Sequence, residues 1–225
     1  SYDPNLIATH DPVAEAANFA ELNKVPGINL NQNVSGPTGE LLAPGSVFKI
    51  IDTSAALKSG KYNKDSILPN PAEMSFPGID YTLPNYAGGN CYTRDTATFA
   101  FALQQSCNTP FASIALDLNQ QAIADEAEKF GFGQDFGDQL KLDSAPSFFP
   151  YEELDDASLA QSSIGQRDVR ATPLQINQMT AAIANGGVQM QPNLIKAVRS
   201  PDLRPISEPK PQVLQTSTTP EIARQ

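Results

Sequence analysis

The first forty-five residues show no long periodic run of apolar side chains. A short helical pattern over about Pro12 to Leu22 interrupts a stretch rich in Asn, Pro and Gly, and residues 29–45 read as an ordered loop leading into a helix. From Ser46 the pattern changes. In SVFKIIDTSAALKSG, the residues Val47, Phe48, Ile50, Ile51, Ala55 and Leu57 spread almost all round a helix, which predicts a buried element. Lys58 lies in its last turn and Gly60 stops it. Prolines and glycines then exclude long helices over 61–92, leaving loops and short strands. A helix is predicted over about Asp95 to Gln105, capped by Thr93 or Asp95. A second opens at Thr109-Pro110, and a third follows Asn119 and ends at Gly131. Residues 143–156 form an acidic, proline-bearing loop, and Thr172-Pro173 opens a helix that stops at Gly186. Residues 188–199 carry strand-like spacing broken by Pro192, and a proline-rich tail starts at Ser200. The pattern therefore predicts a mostly helical layer with too little strand for a complete α/β domain.

Composition narrows the function. The chain has 225 residues, enough for one domain or one and a half, and its 40% hydrophobic content supplies a core. A net charge of −10 argues against nucleic-acid binding, which needs clustered Lys and Arg, and against a polybasic membrane surface. No apolar run is long enough to span a bilayer, and the opening SYDPN is no signal peptide. Because the first residue is Ser1, the chain reads as a piece of a longer protein, with strands at one or both ends outside it.

His10 is the only histidine and sits among polar residues, so it reads as an exposed loop residue, and any nucleophile here needs another base. With Cys91 and Cys107 it falls short of a zinc ligand set, and neither metal nor cofactor is expected. The two cysteines are too far apart for a CxxC pair. They could be a disulfide or two buried thiols, and the disulfide, the preferred reading, implies an oxidising setting. GFGQDFG at 131–137 resembles a phosphate loop, but it closes a helix instead of opening one after a strand, so it reads as a helix stop.

S-x-x-K occurs twice, and about one match is expected by chance. Ser207-Glu208-Pro209-Lys210 falls in the proline-rich tail and reads as noise. Ser46-Val47-Phe48-Lys49 opens the buried helix, so Ser46 and Lys49 share a face one turn apart. The helix N-terminus favours a developing oxyanion on Ser46. Apolar neighbours desolvate Lys49, lower its pKa, and let a neutral amine act as base to the serine. The plain alternative is a Ser cap followed by a snorkelling lysine. Ser106-Cys107-Asn108 lies between two predicted helices. Its hydroxyl could relay a proton and its amide hold a peptide, or the segment is a polar turn with an Asn cap.

Taken together, sixty residues apart and in this order, the two motifs resemble the serine acyl-transferases that bind penicillin. PGSVFK at 44–49, SCNTPF at 106–111, SIGQ at 163–166, TPLQ at 172–175, ANGG at 184–187 and the opening YDPN are similar to segments of class B penicillin-binding proteins. A cysteine at the centre of the second motif, with another upstream, looks like the actinobacterial penicillin-binding protein A type. No K-[ST]-G follows the second motif. The family carries it on a later strand, where it completes half the oxyanion hole.

The resemblance implies an α/β (α+β) fold of the serine β-lactamase and penicillin-binding transpeptidase kind, mostly helical here, with part of the central antiparallel sheet missing. The expected organisation is one incomplete transpeptidase domain over 1–225. Lead-in loops occupy 1–45, a helical core 46–187, and a strand with the proline-rich tail 188–225. The implied activity is peptidoglycan D,D-transpeptidation, inhibited by β-lactams and incomplete in this segment alone. Ser46 is the implied nucleophile, Lys49 its base, Ser106 a proton relay and Asn108 a holder of the donor stem peptide. Implied partners are peptidoglycan stem peptides, a glycan polymerase, and cell-division or elongation proteins. The implied location is the extracytoplasmic face of the membrane, through an anchor outside this chain. Two rivals keep the same fold. One is a β-lactam sensor or non-catalytic scaffold. The other is a β-lactamase, which would need a carboxylate from Glu152-Glu153-Leu154-Asp155-Asp156 to activate water, a run that reads better as a solvated loop.

Overall fold

The computed structural model describes residues 3–25, 41–86, 88–140 and 144–225. Most of the expected loop 29–45 therefore lies outside the described residues, as does Tyr2. A 3-10 turn at Pro4–Leu6 precedes helix α1 (Pro12–Leu22), and a second at Gly45–Phe48 runs straight into α2 (Lys49–Lys58). Three strands follow, β1 (Ile67–Pro69), β2 (Glu73–Phe76) and β3 (Ile79–Pro84). After β4 (Thr96–Thr98) come α3 (Phe99–Gln104), α4 (Asn108–Leu118), α5 (Gln120–Lys129) and α6 (Gly137–Leu140). Next are α7 (Asp156–Ser163), α8 (Pro173–Ala184), β5 (Val188–Met190), β6 (Val198–Arg199), β7 (Pro205–Ser207), β8 (Val213–Thr216) and α9 (Pro220–Ala223).

Caps set most of these starts. The Asn119 side chain accepts from Ala122 N at 3.2 Å to open α5, and Thr172 does the same for Gln175 N at 3.1 Å in α8, with Pro173 in the first turn. As expected, GFGQDFG follows the end of α5, with Gly131 at φ +95°.

Four expectations need correction. The helix expected from Asp95 begins only at Phe99. Thr96–Thr98 instead pair antiparallel with Ile67–Pro69, and Thr98 is the cap, accepting from Phe101 N at 3.2 Å. The α-helical hydrogen bonding of the Ser46 segment starts at Lys49, because its first turn is 3-10. The acidic loop ends in α7, whose sequence DASLAQSS has too little apolar periodicity to be seen. Asp155 caps it by accepting from Ser158 N at 2.7 Å, and its small residues let it lie against α4. The proline-rich tail holds β8, which pairs with β5, and α9, which packs on α2. Strand partners distant in sequence decide the first of these and the β8 part of the last.

The core joins α2, α4, α5 and α7, with Ile51 and Ala56, Phe111 and Ile114, Ile123 and Ala127, and Ala157 and Ala160 buried between them. Among the described residues, strands occur only as four antiparallel pairs. No helix among them is long and apolar enough to cross a membrane.

Candidate active site

Ser46 sits in the 3-10 turn that opens α2, and two contacts fix that turn. Phe48 is fully buried, edge-on to Phe132 at 5.4 Å and stacked on Phe149 at 5.5 Å. Burying such a ring contributes about 1.5–3 kcal/mol. On the other side, Gly45 N donates to Gly165 O at 2.8 Å. The approach is so close that a Cβ on Gly165 would lie 2.0 Å from Gly45 O. No side chain caps the turn, so the plain Ser-cap alternative does not hold. Ser46 stays exposed at the rim.

Lys49 follows one turn later and points inward, 1% exposed. Its Nζ donates to Ser46 Oγ at 3.2 Å, Ser106 Oγ at 3.2 Å, Ser106 O at 2.7 Å and Asn108 Oδ1 at 2.8 Å. It also stands 5.5 Å from the centre of the Phe111 ring. Burial lowers its pKa to about 8, while the charge of Asp52 pulls the other way. Near neutral pH a useful fraction of this amine is therefore uncharged and can accept a proton from Ser46.

The turn between α3 and α4 brings the second motif to this amine. Ser106 takes φ +58°, unusual for a residue with a side chain, and this aims both its hydroxyl and its carbonyl at Lys49. Asn108 is fixed from both ends, because its Nδ2 donates to Pro84 O at 2.9 Å. Cys107 is bonded to Cys91 across a separation of 16 residues, which settles the choice between disulfide and thiols. Thus Ser46, Lys49, Ser106 and Asn108, spread over sixty-three residues, share one hydrogen-bonded cluster.

Other sequence candidates lie elsewhere. His10 is exposed on the segment before α1, and Ser207 is exposed on β7. Asp155 is engaged as the α7 cap, and the acidic run lines a cavity of about 670 Å³ with Arg167 and Arg170, a wall that includes none of the four clustered residues.

Three residues of the neighbourhood carried no sequence signal. Asn85, between strands, binds the start of α4. Gly165 belonged to a noted segment, but nothing in SIGQ shows that its backbone touches Gly45. Asp52 is fully buried one turn beyond Lys49, and neither of its oxygens meets a hydrogen-bond partner. Burial holds its carboxyl well above the usual range, opposed by the nearby Lys49 charge.

This geometry agrees with a match that runs over all of residues 1–225, to the family described as penicillin binding protein transpeptidase domain. The chain belongs to that family. It is 36% identical to the peptidoglycan D,D-transpeptidase PbpA of Mycolicibacterium smegmatis, over 99% of this chain and 44% of that protein. Its fold is similar to the crystal structure of the penicillin-binding protein A from Mycobacterium tuberculosis, with a TM-score of 0.85 and 34% identity over 100% of this chain and 50% of that one. It is similar also to the penicillin G acyl-enzyme complex of that protein, at TM-score 0.84 and 34% identity, again over 100% of this chain and 50% of that one. The transpeptidase-family chain thus spans about half the length, or less, of these relatives. The antiparallel pairs and the helical layer of this chain correspond to part of the family's fold.

Proposed function

We propose that this domain is the acyl-transfer half of a peptidoglycan D,D-transpeptidase. The observation that carries the reading is the convergence on one buried amine of two serine hydroxyls and the Asn108 amide. The named activity of the PbpA relative and the acyl-enzyme of the tuberculosis protein support it.

In this mechanism Ser46 Oγ attacks the penultimate D-alanyl carbonyl of a stem peptide, and its proton passes to neutral Lys49. The carbonyl–nitrogen bond breaks, and the departing D-alanine amine receives a proton from Lys49 through Ser106. Asn108 holds the donor peptide. An amine of a second stem peptide then attacks the Ser46 ester, forming the cross-link and returning Ser46 to its hydroxyl form. A β-lactam acylates the same oxygen by opening its ring and stalls there. A glycan polymerase and cell-division or elongation proteins are the partners this role calls for, at the extracytoplasmic membrane face through an anchor.

The test is intact mass and peptide mapping of the full-length protein after incubation with benzylpenicillin. One penicillin on Ser46, absent in Ser46→Ala, is expected. Folded protein that takes up no adduct refutes the acyl-serine reading. Labelling without cross-linking of stem peptides would assign a sensor, and rapid release of hydrolysed penicillin a β-lactamase.

A further inference from the structure

We infer that Asn85 is a positioning residue for the S-x-N turn, acting as the N-cap of α4 from a distant strand end. The inference rests on the acyl-serine reading of Ser46.

A helix leaves its first N–H groups without internal partners, and a Ser, Thr, Asp or Asn at the cap ordinarily accepts from them. The cap residue of α4 is Cys107, whose sulfur is committed to Cys91, and it makes no capping bond. Its own N–H donates to Ala102 O at 2.9 Å. The next two donors, Asn108 N and Thr109 N, both reach Asn85 Oδ1, at 2.8 and 3.2 Å. Pro110 follows and has no N–H to satisfy. One side chain twenty-odd residues upstream therefore satisfies every first-turn donor that the cap leaves open.

Asn85 can do this because it is itself held. It is 2% exposed, and its Nδ2 donates to Pro71 O at 3.1 Å and Gly89 O at 3.0 Å. Thr109 Oγ1 ties the same corner by donating to Pro71 O at 2.9 Å. The preceding residue, Pro84, supplies the carbonyl that orients the Asn108 amide. The segment Pro84-Asn85 thus grips the backbone and the side chain of Asn108, and the other end of that side chain binds Lys49. Without Asn85, the amides of Asn108 and buried Thr109 have no acceptor, and the turn carrying Ser106 at φ +58° loses the anchor of its backbone on the α4 side. The Cys91–Cys107 disulfide is a covalent anchor beside it.

The test measures acylation of the full-length protein by a fluorescent penicillin, with the rate constant k2 separated from the binding constant Ks. In Asn85→Ala, k2 is expected to fall by about 10–100-fold, since small misplacements of reacting groups cost rate steeply. Ks is expected to change less than threefold, and the folded protein to keep its thermal midpoint within a few degrees. Cooperative unfolding at that midpoint with unchanged k2 overturns the inference, as does a change confined to Ks. Hydrogen exchange on the unsubstituted protein gives a reading even where the variant does not fold. The Asn108 and Thr109 amides are expected to exchange as slowly as interior α4 amides, and rapid exchange there overturns the cap. Failure of the unsubstituted protein to acylate at all refutes the acyl-serine reading instead, and leaves the exchange result to judge Asn85.

Discussion

Replacing Gly165 with alanine tests whether the SIGQ segment holds the turn of Ser46, the proposed nucleophile, in place. The added Cβ would lie 2.0 Å from Gly45 O, 2.7 Å from Gly45 C and 2.8 Å from Gly45 N, with backbone on both sides and no flexible side chain to yield. A tolerable contact needs at least 3.0 Å, so the two segments must part by about 1 Å. That strains the Gly45 N to Gly165 O hydrogen bond, which contributes about 1 kcal/mol. Gly165 also has φ +72°, where a side chain costs about 1–2 kcal/mol. Residual packing strain adds about 1–3 kcal/mol. The expected destabilisation is about 3–6 kcal/mol, or a drop of roughly 10 °C or more in thermal midpoint for a domain of this size. Any part of the displacement taken up by Gly45 moves Ser46, so penicillin acylation of the folded variant should slow by about 10²-fold. Gly186→Ala is the control. It has φ +64° but open space around it, so it should show only the backbone cost and label normally. A Gly165→Ala protein with an unchanged midpoint and an acylation rate within twofold would refute the reasoning.

Three further outcomes follow from the site. Acylation of Ser46 should rise with pH through about 8 as Lys49 loses its proton, and a rate independent of pH from 6 to 9.5 would show that Lys49 is not the base. Asp52 has a raised native pKa, so the unfolded chain releases this proton first. Its cost to stability is absent below about pH 4 and grows as pH rises towards the native value. The stability gained by Asp52→Asn in chemical denaturation should therefore grow as pH rises from about 4, and a gain that does not change with pH would contradict the burial argument. Cys107→Ser opens a loop of 16 residues and should cost about 3 kcal/mol in urea unfolding, together with slower acylation, because the freed residue borders both Ser106 and Asn108. Equal stability with and without the disulfide would count against the tether.

Several features were legible because they are local. The apolar run after Ser46 announced a buried helix, and a lysine three residues from a serine on such a helix must share its face. Asn119 and Thr172 announced the starts of α5 and α8 because a cap depends only on its own turn. Order and spacing of the short motifs sufficed for the family. The chain's negative charge argued early against a nucleic-acid partner.

What the sequence left undecided depends on contacts between distant residues. Thr96–Thr98 could extend the α3 helix locally, yet pairing with Ile67–Pro69 makes them a strand. The tail from Ser200 looks irregular until β5 offers β8 a partner. Lys49 has a lowered pKa because α4 and the S-x-N turn close over it, and nothing in S-x-x-K shows that closure. Asn85 and Gly165 matter through a carboxamide and a carbonyl that meet backbone twenty-three and 120 residues away. The sequence by itself determined which side chains could do acyl-transfer chemistry. Only the tertiary structure decided their protonation, their orientation and the residues that hold them, because desolvation and hydrogen bonding arise when remote segments pack together.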